Sequence, residues 1–488
     1  MHFVNLILSL FFLVFSFSSY AQQNPSYNAE IEAQIKKVEQ NLGGWVQIQD
    51  SANTWSLQQR MAFYKIKGLS IAVVQNYKVV WARGYGWADE GAKKTVTPQT
   101  LFQAASISKS LNAIGVLKLV QDKKFDLHAD INDYLRTWKF PYDSVSKGKK
   151  ITAAHLLSHS AGLTVHGFPG YANNDTIPTL TEILDGKAPA NTAAVRSRFE
   201  PGIRFQYSGG GTTILQMMVM DITKQPYDEY MWQQVLKPMG MMMSTYAKPP
   251  ATEKKPFLAT GYRADGKEVE TKYHLYPEQA AAGLWTNPTD LCKYLIETQL
   301  ALEGKSGKVL NTEMTKLRLT PYIDSSAALG VFIETKGDEK YFGHNGQNEG
   351  FLSSSTGSFT NGNGVVVMVN SDRGNLLHEV VHSVATVYGW KDYYTPKIKK
   401  IVPVADSLLN AYTGNYILDR DSITINRKGN RMILTVNNSE NFEMFFSADQ
   451  EFFTKEMPLE FTIEKEPSGI IKSFYFKEGS REMRARKL

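Results

Sequence analysis

The chain has 488 residues, of which 42% are hydrophobic and 21% charged. That length is enough for two or three packed units, and the composition excludes a disordered chain or a repeat array. A net charge of +6 without any Lys/Arg block excludes a nucleic-acid-binding stripe, and a single cysteine excludes an internal disulfide.

Residues 1–21 hold no acidic or basic side chain except His2, residues 3–17 are mostly apolar, and Ser19-Tyr20-Ala21 places small residues at a cleavage site. This reads as a signal peptide cut before Gln22 and a periplasmic or secreted protein. The apolar run is short for a bilayer span, and no cysteine follows it to carry a lipid, so no stable membrane anchor is expected. Residues 68–74 and 78–85 are strand-like runs separated by Gln75-Asn76-Tyr77, a predicted hairpin. From about 111 to 243 helical patterns dominate, broken by clusters such as Gly167-Phe168-Pro169-Gly170, and residues 165–175 are expected to wall a pocket. Cys292 falls in a helical pattern and reads as a buried structural thiol. Strand character returns at 329–335, 352–358 and 364–370, and residues 376–388 predict a closing helix. Strands, helices, strands and a last helix make an α+β order in which distant strands share one sheet. Residues 391–404, with Pro396 and Pro403, predict a linker. Residues 405–488 read as short strands (422–426, 431–436, 459–464, 470–476) of a small all-β barrel or curved sheet.

Within this frame, Ser106-Ile107-Ser108-Lys109 opens an apolar segment continued by Leu111, Ile114 and Leu117 at helical spacing. Positions three apart share a helix face, so Lys109 is expected under the Ser106 hydroxyl. A serine needs a nearby base to become a nucleophile, and a buried lysine can be one. Two further Ser-x-x-Lys matches, Ser144 with Lys147 and Ser146 with Lys149, lie in a Lys- and Gly-rich stretch and read as a solvated loop. Three other segments accompany the Ser106 motif: His155-Leu156-Leu157-Ser158-His159-Ser160-Ala161-Gly162-Leu163, Glu200-Pro201-Gly202 leading to Phe205-Gln206-Tyr207-Ser208-Gly209, and Gly343-His344-Asn345-Gly346-Gln347. His155 and His159 read as structural. His378-Glu379-Val380-Val381-His382 fits the H-E-x-x-H zinc pattern but has no later His, so a zinc peptidase is a rival reading.

Taken together and in this order, these segments resemble the serine β-lactamase and D-Ala-D-Ala-peptidase superfamily. They are most similar to the class C β-lactamase-related branch with its esterases and D-aminopeptidases, over roughly residues 55–390. The resemblance implies an antiparallel sheet flanked by helices plus a helical region, within residues 22–390. It implies Ser106 as acylated nucleophile, Lys109 as partner for its proton, Tyr207 as general base and His344 in the place of the Lys-Thr-Gly lysine. Gly346 would let substrate lie along its strand, and the backbone N–H groups of Ser106 and Gln347 would form the oxyanion hole. Neither metal nor organic cofactor is implied, the partner is a small-molecule or peptide substrate, and oligomeric state is left open. Gly209 departs from the pattern, standing where the family has an amide-binding asparagine. It is expected to weaken β-lactam recognition, to open space for other acyl groups, and to share with Gly210 and Gly211 a backbone shape that asparagine adopts at a cost. Residues 405–488 resemble the lipocalin-like domain appended to some of these hydrolases. The reading is thus an exported serine hydrolase of esters or amides; a catalytically silent binder of peptidoglycan-like peptides is the non-enzymatic rival.

Overall fold

The computed structural model describes residues 24–488 apart from 420, 438, 439, 458, 479 and 480; the signal-peptide reading lies outside them. The predicted hairpin is β1 (Gly68–Gln75) and β2 (Lys78–Asp89). Asn76 and Tyr77 between them have φ of +51° and +62°, the doubly left-handed backbone that a two-residue hairpin turn requires. With β3 (Lys94–Thr95), β4 (Phe332–Lys336), β5 (Glu339–Asn348), β6 (Phe351–Ser358) and β7 (Gly364–Val369) they form one sheet, ordered β3-β2-β1-β7-β6-β5-β4. The first and last thirds of the hydrolase region therefore meet at the antiparallel β1–β7 pair.

Both faces of that pair are apolar and both are covered. Leu69, Ile71, Val73, Val365, Val367 and Val369 face α1 (Ala29–Gln40) and the closing helix, while Ala72, Val74, Val366 and Met368 face the other layer. That other layer holds α2 (Ser108–Gln121), α3 (Gly209–Thr223), the short α4 (Gln279–Ala282) and α5 (Pro288–Leu302). The closing helix is α6 (Asn375–Val387). Alternation with period two along each strand puts successive side chains on opposite faces, which is why runs of Val and Ile serve both layers. Cys292 is wholly buried on α5, with its thiol near Ala72 O and its pKa pushed up by burial.

Two sequence expectations need correction. The stretch from 111 to 243 is less helical than its apolar pattern: between the short helix Ala153–Leu157 and α3 only Leu180–Asp185 is helical, and Gly/Pro-rich loops fill the rest. Residues 391–404 are not a bare linker. Lys397–Lys399 pairs in parallel with Val46–Ile48, and the Val402 N–H donates to Phe446 O at 2.9 Å, tying the segment to both units.

After a helix at Asp406–Tyr412, eight antiparallel strands from Gly414–Leu418 to Arg481–Lys487 close into a barrel. Closure comes from the pairs Tyr416 with Lys487 and Ile417 with Arg486. Its interior is filled by aromatic side chains, among them Phe452 stacked on Phe461 with ring centroids 4.7 Å apart. The barrel loop carrying Lys455 and Glu456 packs on the hydrolase unit, where Glu456 reaches within 3.8 Å of the buried Arg60. Among the described residues no helix is long and apolar enough to cross a membrane.

Candidate active site

Ser106 lies in the 3₁₀ turn Ala105–Ile107 that leads into α2, so Lys109 falls in the first turn of the helix proper. Ala105 has φ of +49°, a left-handed conformation uncommon for a residue with a Cβ and concentrated at functional sites. Residues 108–117 are buried all round, so α2 is a core helix whose polar members must find partners inside. Ser108 Oγ accepts from Leu284 N (3.0 Å), Ser110 Oγ donates to Gly330 O (2.7 Å), and Asn112 Oδ1 accepts from the Tyr227 hydroxyl (3.0 Å). Lys109 is 4% exposed and donates to Ser106 Oγ at 2.9 Å and to Ala281 O at 2.7 Å. Ala281 sits on α4, itself held where Gln216 Oε1 of α3 accepts from Ala280 N at 2.9 Å. Its carbonyl is a fixed acceptor that aims the lysine at the serine.

The end of β5 is pinned against this turn. Asn348 Nδ2 donates to Gln103 Oε1 at 2.8 Å and to Ala282 O at 3.1 Å, and Ser353 Oγ on β6 donates to Ala104 O at 2.9 Å. β5 runs beyond its last partner on β4, where Gly343 pairs with Phe332. Glu349-Gly350 forms the two-residue turn to β6, so Asn348 and Phe351 close the ladder. Antiparallel alternation then directs the Gln347 N–H away from β6, toward the edge that faces Ser106. Gly346 is needed for the approach itself, because a Cβ there would overlap Ala104 O and Ser353 Oγ. Its absence of side chain thus serves strand-to-turn contact as well as room along the strand.

Tyr207 enters from the loop before α3. Lys109 Nζ lies 5.1 Å from its ring centroid, and the rings of His159 and His166 lie at 4.2 and 4.8 Å. Among the described residues no hydrogen bond of the Tyr207 hydroxyl is seen, and Lys109 is the side chain that bonds Ser106 Oγ. His159, which reads as structural in the sequence, holds the Tyr207 turn in place. Its Nδ1 accepts from Ser208 N at 3.2 Å and its carbonyl from Gln206 N at 2.6 Å, so it straps the Tyr207 turn on both sides. Its own φ is +56°, and burial together with the Lys109 charge holds its pKa well below the usual histidine range. The clue was its adjacency to Ser160-Ala161-Gly162; its partners, some 50 residues on, were not visible. His155, by contrast, forms the capping box of Ala153–Leu157 with Thr152.

His344 is 6% exposed. Burial first, and then the Lys109 charge, push its pKa down to about 3, so the ring is neutral. Its Nδ1 lies 2.6 Å from Asn345 O, which only accepts, so Nδ1 carries the proton and Nε2 is a bare acceptor. That Nε2 has no partner among the described residues.

These groups line a cavity of about 980 Å³. Ser106, Tyr207, His344, Gly346 and Gln347 form one wall; His166, Gly167, Phe168 and Pro169 form another, as expected of residues 165–175; and Asp372, Gly374, Asn375, Leu377 and His378 a third. Gly209 is not among the lining residues. It is buried in the first turn of α3, with Ser208 as N-cap, and none of Gly209, Gly210 and Gly211 has positive φ. The expected open space is taken by the preceding loop: a Cβ at 209 would lie 3.0 Å from both His166 O and Phe168 Cε2, and one at 210 would lie 2.7 Å from Val195 Cγ2. Close packing, and not backbone twist, calls for these glycines.

The decoy motifs resolve by their partners. Lys147 and Lys149 sit on the surface and pair with Glu200. On α6, Glu379 is buried and bound by Arg60 Nε and the Tyr64 hydroxyl, each at 2.7 Å, while His382 stacks on Tyr394 with centroids 3.9 Å apart. The carboxylate that a zinc peptidase would use as its base is thereby held by a structural ion pair.

A serine bonded to a buried lysine at a helix start, a tyrosine turn over that lysine, and a sheet edge offering backbone N–H groups define the fold and site layout of β-lactamase-type serine hydrolases. The family model described as Beta-lactamase matches residues 56–383, and the chain belongs to that family. It is 24% identical over 354 residues to Protein flp of Staphylococcus aureus (strain N315), covering 72% of this chain and 67% of that protein. In fold it is similar to the octameric penicillin-binding protein homologue from Pyrococcus abyssi, with TM-score 0.61 and 21% identity over 88% of this chain and 98% of that one. It is similar also to the D-amino acid amidase from Ochrobactrum anthropi SV3, with TM-score 0.57 and 20% identity over 74% of this chain and 99% of that one.

Proposed function

We propose that this protein is an exported serine hydrolase that cleaves an ester or amide through an acyl-Ser106 intermediate. The observation that carries the reading is the 2.9 Å contact from Lys109 Nζ to Ser106 Oγ on the wall of the cavity. Ser106 Oγ attacks the carbonyl carbon and its proton passes to the Lys109–Tyr207 unit. The N–H groups of Ser106 and Gln347 receive the oxyanion, and the protonated unit returns the proton to the leaving group. Water then takes the place of the leaving group and releases the acid. Export to the periplasm or medium rests on residues 1–21 alone.

The test is intact-mass analysis after a fluorophosphonate, with chromogenic ester turnover measured in parallel. One adduct is expected on Ser106, and Ser106→Ala should lose both the adduct and at least ~10³-fold of kcat. Lys109→Met should slow labelling comparably. Ester turnover by Ser106→Ala near the wild-type rate would refute the mechanism.

A further inference from the structure

Among the described residues the buried acids Asp89, Asp221, Asp290, Glu297 and Glu379 are each bonded to a neighbour. Glu278 differs: it is 0% exposed, and neither of its carboxyl oxygens has a partner. A buried polar group left unpaired is costly, so its place in the fold calls for an explanation. That place is the residue before α4, the helix whose Ala281 O takes the Lys109 ammonium at 2.7 Å. The Glu278 carbonyl accepts from Ala281 N and from Ala282 N, each at 3.0 Å. The carboxyl and the lysine's acceptor are thus carried by one turn of backbone.

Side chains hold that turn. Gln279 Nε2 donates to Tyr246 O at 2.7 Å, and Gln216 Nε2 donates to Pro277 O at 3.0 Å. The Tyr246 hydroxyl in turn donates to Ser108 O, beside Lys109, at 2.9 Å. The titratable groups facing Glu278 come from three segments: Lys248 just beyond Tyr246, Tyr171 from the 165–175 loop, and Tyr276 from the approach to α4. The Tyr171 hydroxyl accepts from Asn191 N at 3.1 Å, and the Tyr276 hydroxyl donates to Pro169 O at 3.4 Å. Further out, Asp228 acts on Lys248, Asp175 on Tyr171, and Glu349 and Asp372 on Tyr276. Burial outweighs the acid's own backbone N–H and the Lys248 charge, and raises the Glu278 pKa to about 7. The packing therefore suits the uncharged acid. A charged one must turn toward Lys248 or draw in water, since an unpaired ion in an apolar site costs far more than a neutral carboxyl. Either movement pulls on the turn that carries Ala281 O.

We propose that Glu278 is a positioning residue for Lys109. Uncharged, it lets α4 present Ala281 O to the ammonium and so keeps Lys109 on Ser106. Charged, it turns toward Lys248, shifts that turn and loosens the lysine. This rests on the acyl-Ser106 reading and adds a control to the same site. Glu278 makes and breaks no bond of the substrate, and the proton it loses goes to solvent.

The experiment follows two quantities on the full chain from about pH 5 to 9: kcat on a chromogenic ester, and the rate of fluorophosphonate labelling at Ser106. Wild type should lose about tenfold in both as pH rises through ~7, a part of the ~10²-fold that a misplacement of 1 Å costs. KM should stay level, because Glu278 does not touch substrate. Glu278→Gln keeps the size, is uncharged at every pH, and should lack that fall. Lys248→Met removes the charge that favours ionisation and should move the fall up by about half a pH unit or more. The shape of a profile does not depend on how much of a variant is folded. Should Glu278→Gln not fold at all, Lys248→Met carries the test alone, and a fall that stays in place overturns the proposal. Profiles of wild type and Glu278→Gln that superimpose after scaling overturn it too, and leave the hydrolase reading standing. A native protein with neither Ser106 labelling nor turnover at any pH overturns both.

Discussion

Gly346→Ala tests the contact on which the oxyanion hole depends. The added Cβ would lie 2.1 Å from Ala104 O, about 1 Å short of any tolerated approach, and 2.4 Å from Ser353 Oγ, which itself donates to Ala104 O at 2.9 Å. Both obstacles are held, Ala104 by the backbone of the nucleophile turn and Ser353 by β6, so β5 and the Ser106 turn must part by about 1 Å. A displacement of ~1 Å at a reacting centre costs about 10²-fold in rate, or ~2.7 kcal/mol of barrier. Overpacking of this kind costs about 1–3 kcal/mol of stability. The assay is kcat and KM on a chromogenic ester with a thermal melt alongside. The expected result is a ~10²-fold lower kcat, little change in KM and a modest drop in melting temperature. Gly307→Ala is the control, since a Cβ there would meet only Leu310 O at 3.9 Å. Activity of Gly346→Ala within about threefold of wild type, with an unmoved melt, would refute the idea that this approach sets the hole.

His159→Leu keeps volume but leaves the Ser208 N–H unpaired and loosens the Tyr207 turn; kcat should fall ~10–100-fold with KM near wild type, from a buried donor worth about 1–3 kcal/mol. A fall confined to stability would make His159 merely structural. Arg60→Met strands the buried Glu379 and Glu456 carboxylates and should cost ~3–5 kcal/mol in urea denaturation, part of it recovered in the double variant with Glu379→Gln. Acid should destabilise the fold. His344 and His382 are both lowered to about 3 by burial, so between there and the ordinary value of 6.5 the unfolded chain binds more protons. Stability is therefore present above pH ~6.5 and lost as pH falls, at about 1.4 kcal/mol per unit for each such histidine. Glu278, buried and pushed up to about 7, has the opposite sign between 4.5 and 7 and offsets one of them. His382→Phe, which keeps the stack on Tyr394, should reduce the acid slope measured by urea denaturation at several pH values by about 1.4 kcal/mol per unit. An unchanged slope would show that His382 is not held neutral.

What could be read from the chain alone was what local chemistry dictates. The Ser106–Lys109 relation follows from helical spacing, the β1–β2 hairpin from Gln75-Asn76-Tyr77 between two strand-like runs, and the barrel from short strands between Gly-containing turns. What escaped were relations between segments far apart. Val46–Ile48 and Lys397–Lys399 pair across some 350 residues, and neither run has the length or alternation that marks a strand by itself. The Ala281 carbonyl that aims Lys109 is a backbone atom on a four-residue helix, with no side-chain signature to find.

Gly209 shows how a missing side chain misleads when only the chain is in view. A glycine in place of asparagine looks like a vacancy, and a vacancy in a pocket looks like broader substrate tolerance. The vacancy is a tertiary question, since a close-packed interior fills any space that a neighbouring segment can reach. Here the Gly209 N–H donates to His166 O at 2.9 Å, the Gly210 N–H to Val165 O at 3.1 Å, and the Ser208 hydroxyl to Thr164 O at 2.8 Å. Three bonds draw the 164–168 loop onto the start of α3, and the loop brings Phe168 and His166 to the cavity wall. At this position the space beside the glycine is filled by a loop that carries an aromatic ring and an imidazole. A pocket so rebuilt cannot be scored by the loss of one amide contact. What it admits depends on the ring of Phe168, about 40 residues before the glycine, and on the end of β5, about 140 residues after it, which line the same cavity.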